Sequence, residues 1–339
     1  MPSPEVTITV KELQILFNIF DFFEITYPLV DDFHLLDVSV DDNDYRIKVH
    51  TPDFKVFDTE FPGYADEFPA FHEFKECFLS SGCIKYDNVN DFERLYKNFK
   101  DRNKRIYFSP DTNILYHEFL SSSFLKQEKI PIAATVNAEI IDAMNFKYDT
   151  RMIDAIYRLA KINQDLVRPM YNRRVKKSRK AAYFAMREKK RLVPIEVAEV
   201  NGQPVNYAQK DLFIIKELQK FMSDSNVDVV LLTADRAVLD LCSITNLECF
   251  VFNVPARIET RNCSASSIQE LIFGLATLFG FIKLDPVIIF GEFSNKNNLD
   301  ELRLQFKNDK MHAQFMKDLR ICRRLMDLKK TMPTKEMDF

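Results

Sequence analysis

The stretch Val227-Asp228-Val229-Val230-Leu231-Leu232-Thr233-Ala234-Asp235 decides the fold. A short apolar run ending in polar residues reads as a strand buried on both faces, the habit of strands in parallel sheets. Working outward, the residues after it predict a helix over 236–243 and another strand over 249–253. Those before it predict a helix over 212–222. Further upstream, Ile106 to Ser109 form a short apolar strand that runs into Pro110-Asp111-Thr112-Asn113 and a helix. A second strand over 130–134 leads into a helix from about Val136, and another helix fits 152–162. Strands alternating with helices over 105–260 predict an α/β unit with a central parallel sheet.

The flanks read differently. Residues 1–104 open with Thr9-Val10-Lys11-Glu12, a capping box, followed by Leu13, Leu16, Phe17 and Phe20 at helical spacing. Strand-like alternation follows at Tyr45, Ile47 and Val49, and again at Phe54 and Val56. Phe92, Leu95, Tyr96 and Phe99 make one stripe on a helix over 90–101. This predicts a small N-terminal α+β domain. Residues 261–339 predict a C-terminal α+β extension. A capping box at Ser267-Ile268-Gln269-Glu270 starts an apolar helix, strands are expected over 286–293 and 302–306, and a basic helix over 309–330 precedes a loose tail.

Composition narrows the function classes. The chain has 339 residues, 46% hydrophobic and 29% charged, as folded proteins do. Its 6 glycines are scattered, so neither a Rossmann fingerprint nor a Walker A loop can be assembled. The net charge of −3 hides an asymmetry: residues 1–100 carry 20 acidic against 9 basic side chains. The six cysteines have no zinc-finger or redox spacing, and the five histidines do not gather around them. With no export signal at the start, a cytoplasmic protein with reduced thiols is expected. The apolar stripe 271–282 is 12 residues long, short of the ~20 needed to span a bilayer, and suits core or homodimer packing. No membrane partner is expected.

The chemistry resides in acids around the parallel strands. Ligands of open α/β sheets gather outside the carboxyl ends of the strands. Asp111 follows the first strand directly, and Asp235 stands two residues beyond Thr233. Glu139 lies one turn into the helix after the second strand, and Asp211 opens the helix over 212–222. Asn113, Thr112 and Thr233 are polar neighbours. Converging carboxylates repel unless a cation neutralises them, and an all-oxygen site suits Mg²⁺ or Mn²⁺. Such ions support phosphodiester hydrolysis. Taken singly, Asp111, Asp211 and Asp235 also read as helix caps, and Glu139 as a solvated helix acid.

These residues carry a resemblance. Tyr107-Phe108-Ser109-Pro110-Asp111-Thr112-Asn113-Ile114-Leu115 resembles the opening strand and Asp-Thr-Asn motif of the PIN-domain nucleases. Thr135-Val136-Asn137-Ala138-Glu139-Ile140 is similar to the family's second motif, and Gln209-Lys210-Asp211-Leu212-Phe213-Ile214-Ile215 to the third. Val229-Val230-Leu231-Leu232-Thr233-Ala234-Asp235-Arg236 resembles the fourth. The resemblance covers about residues 105–255. It implies a PIN-like central parallel sheet and a Mg²⁺/Mn²⁺-dependent nuclease, usually a ribonuclease, with Asp111, Glu139, Asp211 and Asp235 as metal-holding acids. The interval from Glu139 to Asp211 is longer than in compact members. The alternatives are a non-catalytic PIN-fold RNA-binding or regulatory protein, and a toxin-type PIN nuclease, which the chain length disfavours.

That interval holds a basic insertion, 168–191, with eleven Lys or Arg, one acid, and Tyr171, Tyr183 and Phe184 interleaved. Cations that neutralise phosphates and aromatics that stack on bases suit a single nucleic-acid strand. Arg173, Arg174, Lys176, Lys177, Arg179 and Lys180, with Asn113 and Thr233, are therefore the expected substrate-binding residues. RNA is the expected partner, with DNA as the alternative. The competing expectation is that the insertion docks on the chain's own acidic first hundred residues.

Overall fold

Period-two alternation builds some of the strands of this protein and unbroken apolar runs build others, and they assemble into more than one sheet. A computed structural model describes residues 3–41, 44–100, 105–200 and 207–331. Its strands are β1 (Glu5–Thr9), β2 (Phe22–Thr26), β3 (His34–Asp41), β4 (Asp44–Val49), β5 (Ile106–Pro110), β6 (Lys129–Ile132) and β7 (Val193–Glu196). They continue with β8 (Asp228–Thr233), β9 (Glu248–Val251), β10 (Asn262–Ser264), β11 (Phe281–Leu284), β12 (Val287–Phe290) and β13 (Glu301–Phe306).

The largest sheet is antiparallel, with eight strands in the order β1-β13-β12-β11-β2-β3-β4-β10. It corrects the expected architecture, in which the central sheet was parallel. Strands from the two ends of the chain pair directly, with Glu5 opposite Gln305 and Thr9 opposite Glu301. On β13, Leu302, Leu304 and Phe306 alternate into the core while Glu301, Arg303 and Gln305 face outward. Segments 1–104 and 261–339, read above as separate flanks, thus contribute to one sheet.

The parallel element exists, but it is small. β5, β8 and β9 form a three-stranded parallel sheet, and β6 pairs with β7 in a parallel two-stranded one beside β5. Val229 to Leu232 are fully buried, as their unbroken apolar run requires. The chain is therefore a mixed α/β protein in which a small parallel sheet accompanies a large antiparallel one.

The helix Ala265–Phe279 joins the two parts. It packs on β11 and β12, on the helix Phe71–Ser80 and on the helix Lys176–Lys180. Its apolar stripe is buried within this one chain, so it offers no dimer face. Ser264 caps this helix by accepting the N–H of Ser267 at 3.2 Å, which moves its start three residues ahead of the expected box. The capping box at Thr9 forms as expected, the Thr9 N–H donating to Glu12 Oε2 at 2.8 Å. Val56 belongs not to a strand but to the helix Val56–Glu60, started by a turn in which Asp53 accepts the N–H of Lys55. The basic helix runs over Asp309–Thr331, and the expected loose tail beyond it lies outside the described residues. None of the helices among the described residues is long and apolar enough to cross a membrane.

Candidate active site

Asp111 leaves β5 at its carboxyl end, and its N–H extends the parallel ladder to Leu232 O at 2.8 Å. It caps the helix Thr112–Tyr116, Oδ1 accepting the N–H of Ile114 at 2.9 Å. Its other oxygen accepts the hydroxyl of Thr233, the last residue of β8. Thr233 Oγ1 in turn accepts the N–H of Asp235 at 2.9 Å, and Asp235 Oδ1 accepts that of Ala237 at 2.9 Å. One hydroxyl at the strand end thus links both strand-end acids. Asp111 is buried, whereas Asp235 and Asn113 are exposed.

The other two acids come from helices. Glu139, on the helix Ala134–Ala143, accepts the hydroxyl of Thr112 at 2.7 Å and lies 3.5 Å from the Lys210 ammonium. Asp211 does not open its helix, as expected, but lies inside it, since that helix spans Tyr207–Ser225. Here Glu217, which sequence reasoning missed, accepts both the N–H and the hydroxyl of Thr135 and so fixes the start of the Glu139 helix. No local pattern announces Glu217; its partner lies 82 residues away.

Electrostatics tie the acids together. Burial pushes the Asp111 carboxyl up to about 6, against the hydrogen bonds from Thr233 and Ile114, and the charge of Asp211 adds to the rise. Burial also raises Asp211, and the charges of Asp235 and Glu139 raise it further, while Lys210 opposes them. Asp211 therefore lies within electrostatic reach of all three other acids. Among the described residues, no three His, Cys, Asp or Glu side chains are close enough together to hold a metal ion. In donor chemistry the four acids suit a hard cation: they offer oxygen donors only, with Lys210 as the nearby counter-charge.

The basic insertion lies elsewhere than expected. Arg179 is 1% exposed. It donates to the carbonyls of Thr277, Leu278 and Arg174 and to the Tyr148 hydroxyl. Lys176 pairs with Glu73 at 2.7 Å, and Lys180 pairs with Glu73 at 3.2 Å and with Glu76 at 2.8 Å. Arg174 donates to the Tyr183 hydroxyl at 3.1 Å and lies 3.6 Å from Glu292. Arg187 is buried against Glu118, Glu270 and Asp300. The expectation that Lys176, Arg179 and Lys180 track a nucleic-acid backbone is corrected: their donors are engaged by carboxylates, carbonyls and a hydroxyl of the protein itself. Arg174, with its side chain 31% exposed, is only partly engaged. Docking on the acidic first segment, the competing expectation, describes Lys176 and Lys180. Arg173 is half-buried, and Lys177 is exposed beside the Phe146 ring. The sequence signal for burial was the run Ala181-Ala182-Tyr183-Phe184-Ala185, all buried in a π-helical turn.

His117 is also interior, its Nδ1 2.7 Å from the Tyr86 hydroxyl and its Nε2 3.9 Å from Glu76. A cavity of about 1750 Å³ is lined by His117, Glu118 and Glu270 but by none of the four acids. Of the acids, Asp235 is exposed beside the exposed Arg236, Glu139 and Asp211 are half-buried, and Asp111 is buried. Carboxylate chemistry, not cavity volume, marks this as the candidate site. Compared with known proteins, the chain matches no family model and no curated protein.

Proposed function

We propose that this protein is a divalent-metal-dependent nuclease of PIN type that hydrolyses phosphodiester bonds in RNA. The observation that carries the reading is geometric: Asp111 and Asp235 are linked through the Thr233 hydroxyl at the carboxyl ends of the paired strands β5 and β8, Glu139 is held by Thr112 next to Asp111, and Asp211 lies within electrostatic reach of all three. Two of these acids are held by threonine hydroxyls, which orient the carboxylates without neutralising them. Asp111, Glu139, Asp211 and Asp235 are the residues that would hold Mg²⁺ or Mn²⁺, by drawing closer together than they stand in the metal-free chain. When bound, such an ion lowers the pKa of water and stabilises charge on a phosphodiester. Thr233 and Thr112 fix the directions of Asp111 and Glu139. Asn113 and Arg236, both exposed, supply donors for phosphate oxygens, and Lys210 offsets the acids' charge.

The test is cleavage of single-stranded RNA and DNA oligonucleotides by the full chain with Mg²⁺, with Mn²⁺ and with EDTA. Cleavage is expected with either ion and is lost on chelation. Asp111→Asn and Asp235→Asn are each expected to lower the rate about a hundredfold or more while the fold persists. Preference for DNA would change the substrate. Undiminished cleavage in both variants, or binding without any cleavage, would overturn the reading.

A further inference from the structure

The helix Ala134–Ala143, which carries Glu139, ends against the basic insertion. Ser178 Oγ donates to Ala143 O at 2.6 Å and accepts the N–H of Phe146 at 3.1 Å, while Phe146 O accepts the N–H of Val175 at 3.3 Å. Lys147 and Arg174 then face each other across a single antiparallel bridge. The backbone of Phe146 is thus braced on both sides, yet its ring is 57% exposed. An exposed apolar side chain is ordinary by itself. This one has cations around it: the Lys177 ammonium lies 5.9 Å from the ring centroid, and Lys147 is its neighbour in the chain. Both lysines are exposed, and neither is in an ion pair among the described residues. No acid occurs in 143–148 or in 171–178. The place of the ring follows from helix packing. Thr135 meets Glu217 well inside the helix Tyr207–Ser225, and Glu139 meets Lys210 near its start, so the two helices run in opposite senses. Phe146 therefore lies past the end of the pair that bears Asp211, about 10 Å along from Glu139.

We infer that Phe146, Lys147 and Lys177 form a platform that holds single-stranded RNA beside the four acids, with one base stacked on the Phe146 ring and the adjoining phosphates against the two ammonium groups. Every base has a π-face, so a flat exposed ring takes any of them, and the lysines replace the counterions of the phosphates. The bases of a duplex are stacked on one another and offer the ring no face, so the platform selects single strands. The bracing by Ser178 and Val175 holds the ring in place before the strand arrives, which lowers the ordering cost of binding. RNA as the substrate class rests on the nuclease reading above; the choice of single strands comes from these three residues.

Binding of oligouridine to the full chain is measured in EDTA, so that it is read apart from cleavage. The chain has no tryptophan, and Phe146→Trp therefore places its one indole at the platform. Oligouridine is expected to quench that fluorescence, and the same strand annealed to its complement to leave it nearly unchanged. Phe146→Ala is expected to weaken binding about tenfold or more with an unchanged thermal melt, since the ring is exposed. Phe146→Tyr is expected to retain affinity and Phe146→Leu to lose it, which separates stacking from apolar contact. Lys177→Gln is expected to flatten the slope of log K against log salt by about 0.7. Full affinity in Phe146→Ala, equal quenching by the duplex, or no binding of oligouridine by the unsubstituted chain would overturn the inference. Quenching without cleavage in Mg²⁺ and Mn²⁺ would leave the platform standing and sink the nuclease reading, whereas cleavage with full affinity in Phe146→Ala would do the reverse.

Discussion

Lys180 and Glu76, 104 positions apart in the chain, form a 2.8 Å ion pair in the interior. The pair joins the acidic first segment to the basic insertion, so the charge asymmetry of the sequence is spent inside the molecule.

A pH dependence follows from it. Burial pushes the Glu76 carboxyl up, but the neighbouring His117 ring and the Lys180 ammonium outweigh burial and hold it at about 2. A carboxyl held below its unfolded value contributes stability that is present above about pH 4.5 and lost as the pH falls towards 2. The shift corresponds to about 3 kcal/mol. Glu76→Gln is expected to unfold at lower urea than the unsubstituted chain at pH 7, with the gap closing between pH 4.5 and 2. An equal gap at pH 7 and pH 2.5 would contradict the assignment.

Arg179 is a structural residue. Removing it leaves three buried carbonyls without their donor, so Arg179→Met is expected to cost about 3–5 kcal/mol in chemical denaturation. Where the variant still folds, the salt dependence of nucleic-acid binding is expected to be unchanged. A flatter salt slope with intact stability would return Arg179 to a binding surface.

What the sequence reveals of this fold is what is local. The buried run ending at Leu232, the strand before Asp111 and the helix after it each carry their signal within about ten residues, and the acids at their ends are legible with them. The antiparallel sheet carries no such signal, because Glu5 meets Gln305 across nearly the whole chain. The insertion misleads for the same reason. Its charges look solvated until Glu73, Glu76, Glu118 and Asp300, each about seventy or more residues away, are brought against it. Of the candidate site, Asp111 and Asp235 follow from strand ends. The depth of Asp211 within its helix does not, since nothing in 207–211 opposes an earlier helical start.

Packing of the large sheet on its helix is tested at Gly291, just after β12. A Cβ there would meet the carbonyl carbon and oxygen of Ala276 and the nitrogen of Thr277 at 2.4 Å. These are backbone atoms of a buried helix and cannot swing aside. Gly291→Ala is expected to cost about 3 kcal/mol or more, above the usual range for overpacking. A thermal melt within a degree of the unsubstituted chain would show that β12 and the helix Ala265–Phe279 can separate.

Asp211 separates stability from function. Its charge is disfavoured by burial and by the neighbouring charges of Asp235 and Glu139, so the metal-free chain carries a repulsion that a cation would relieve. Asp211→Asn is accordingly expected to melt slightly higher than the unsubstituted chain when both are in EDTA. With Mn²⁺ the order reverses. Binding to the folded chain stabilises it by about 2.7 kcal/mol at a hundredfold excess over the dissociation constant, which raises the melting temperature by several degrees. The variant, lacking the acid coupled to the other three, is expected to lose most of that gain. The two melts, with EDTA and with Mn²⁺, therefore cross in sign, and a merely structural Asp211 would shift both in the same direction.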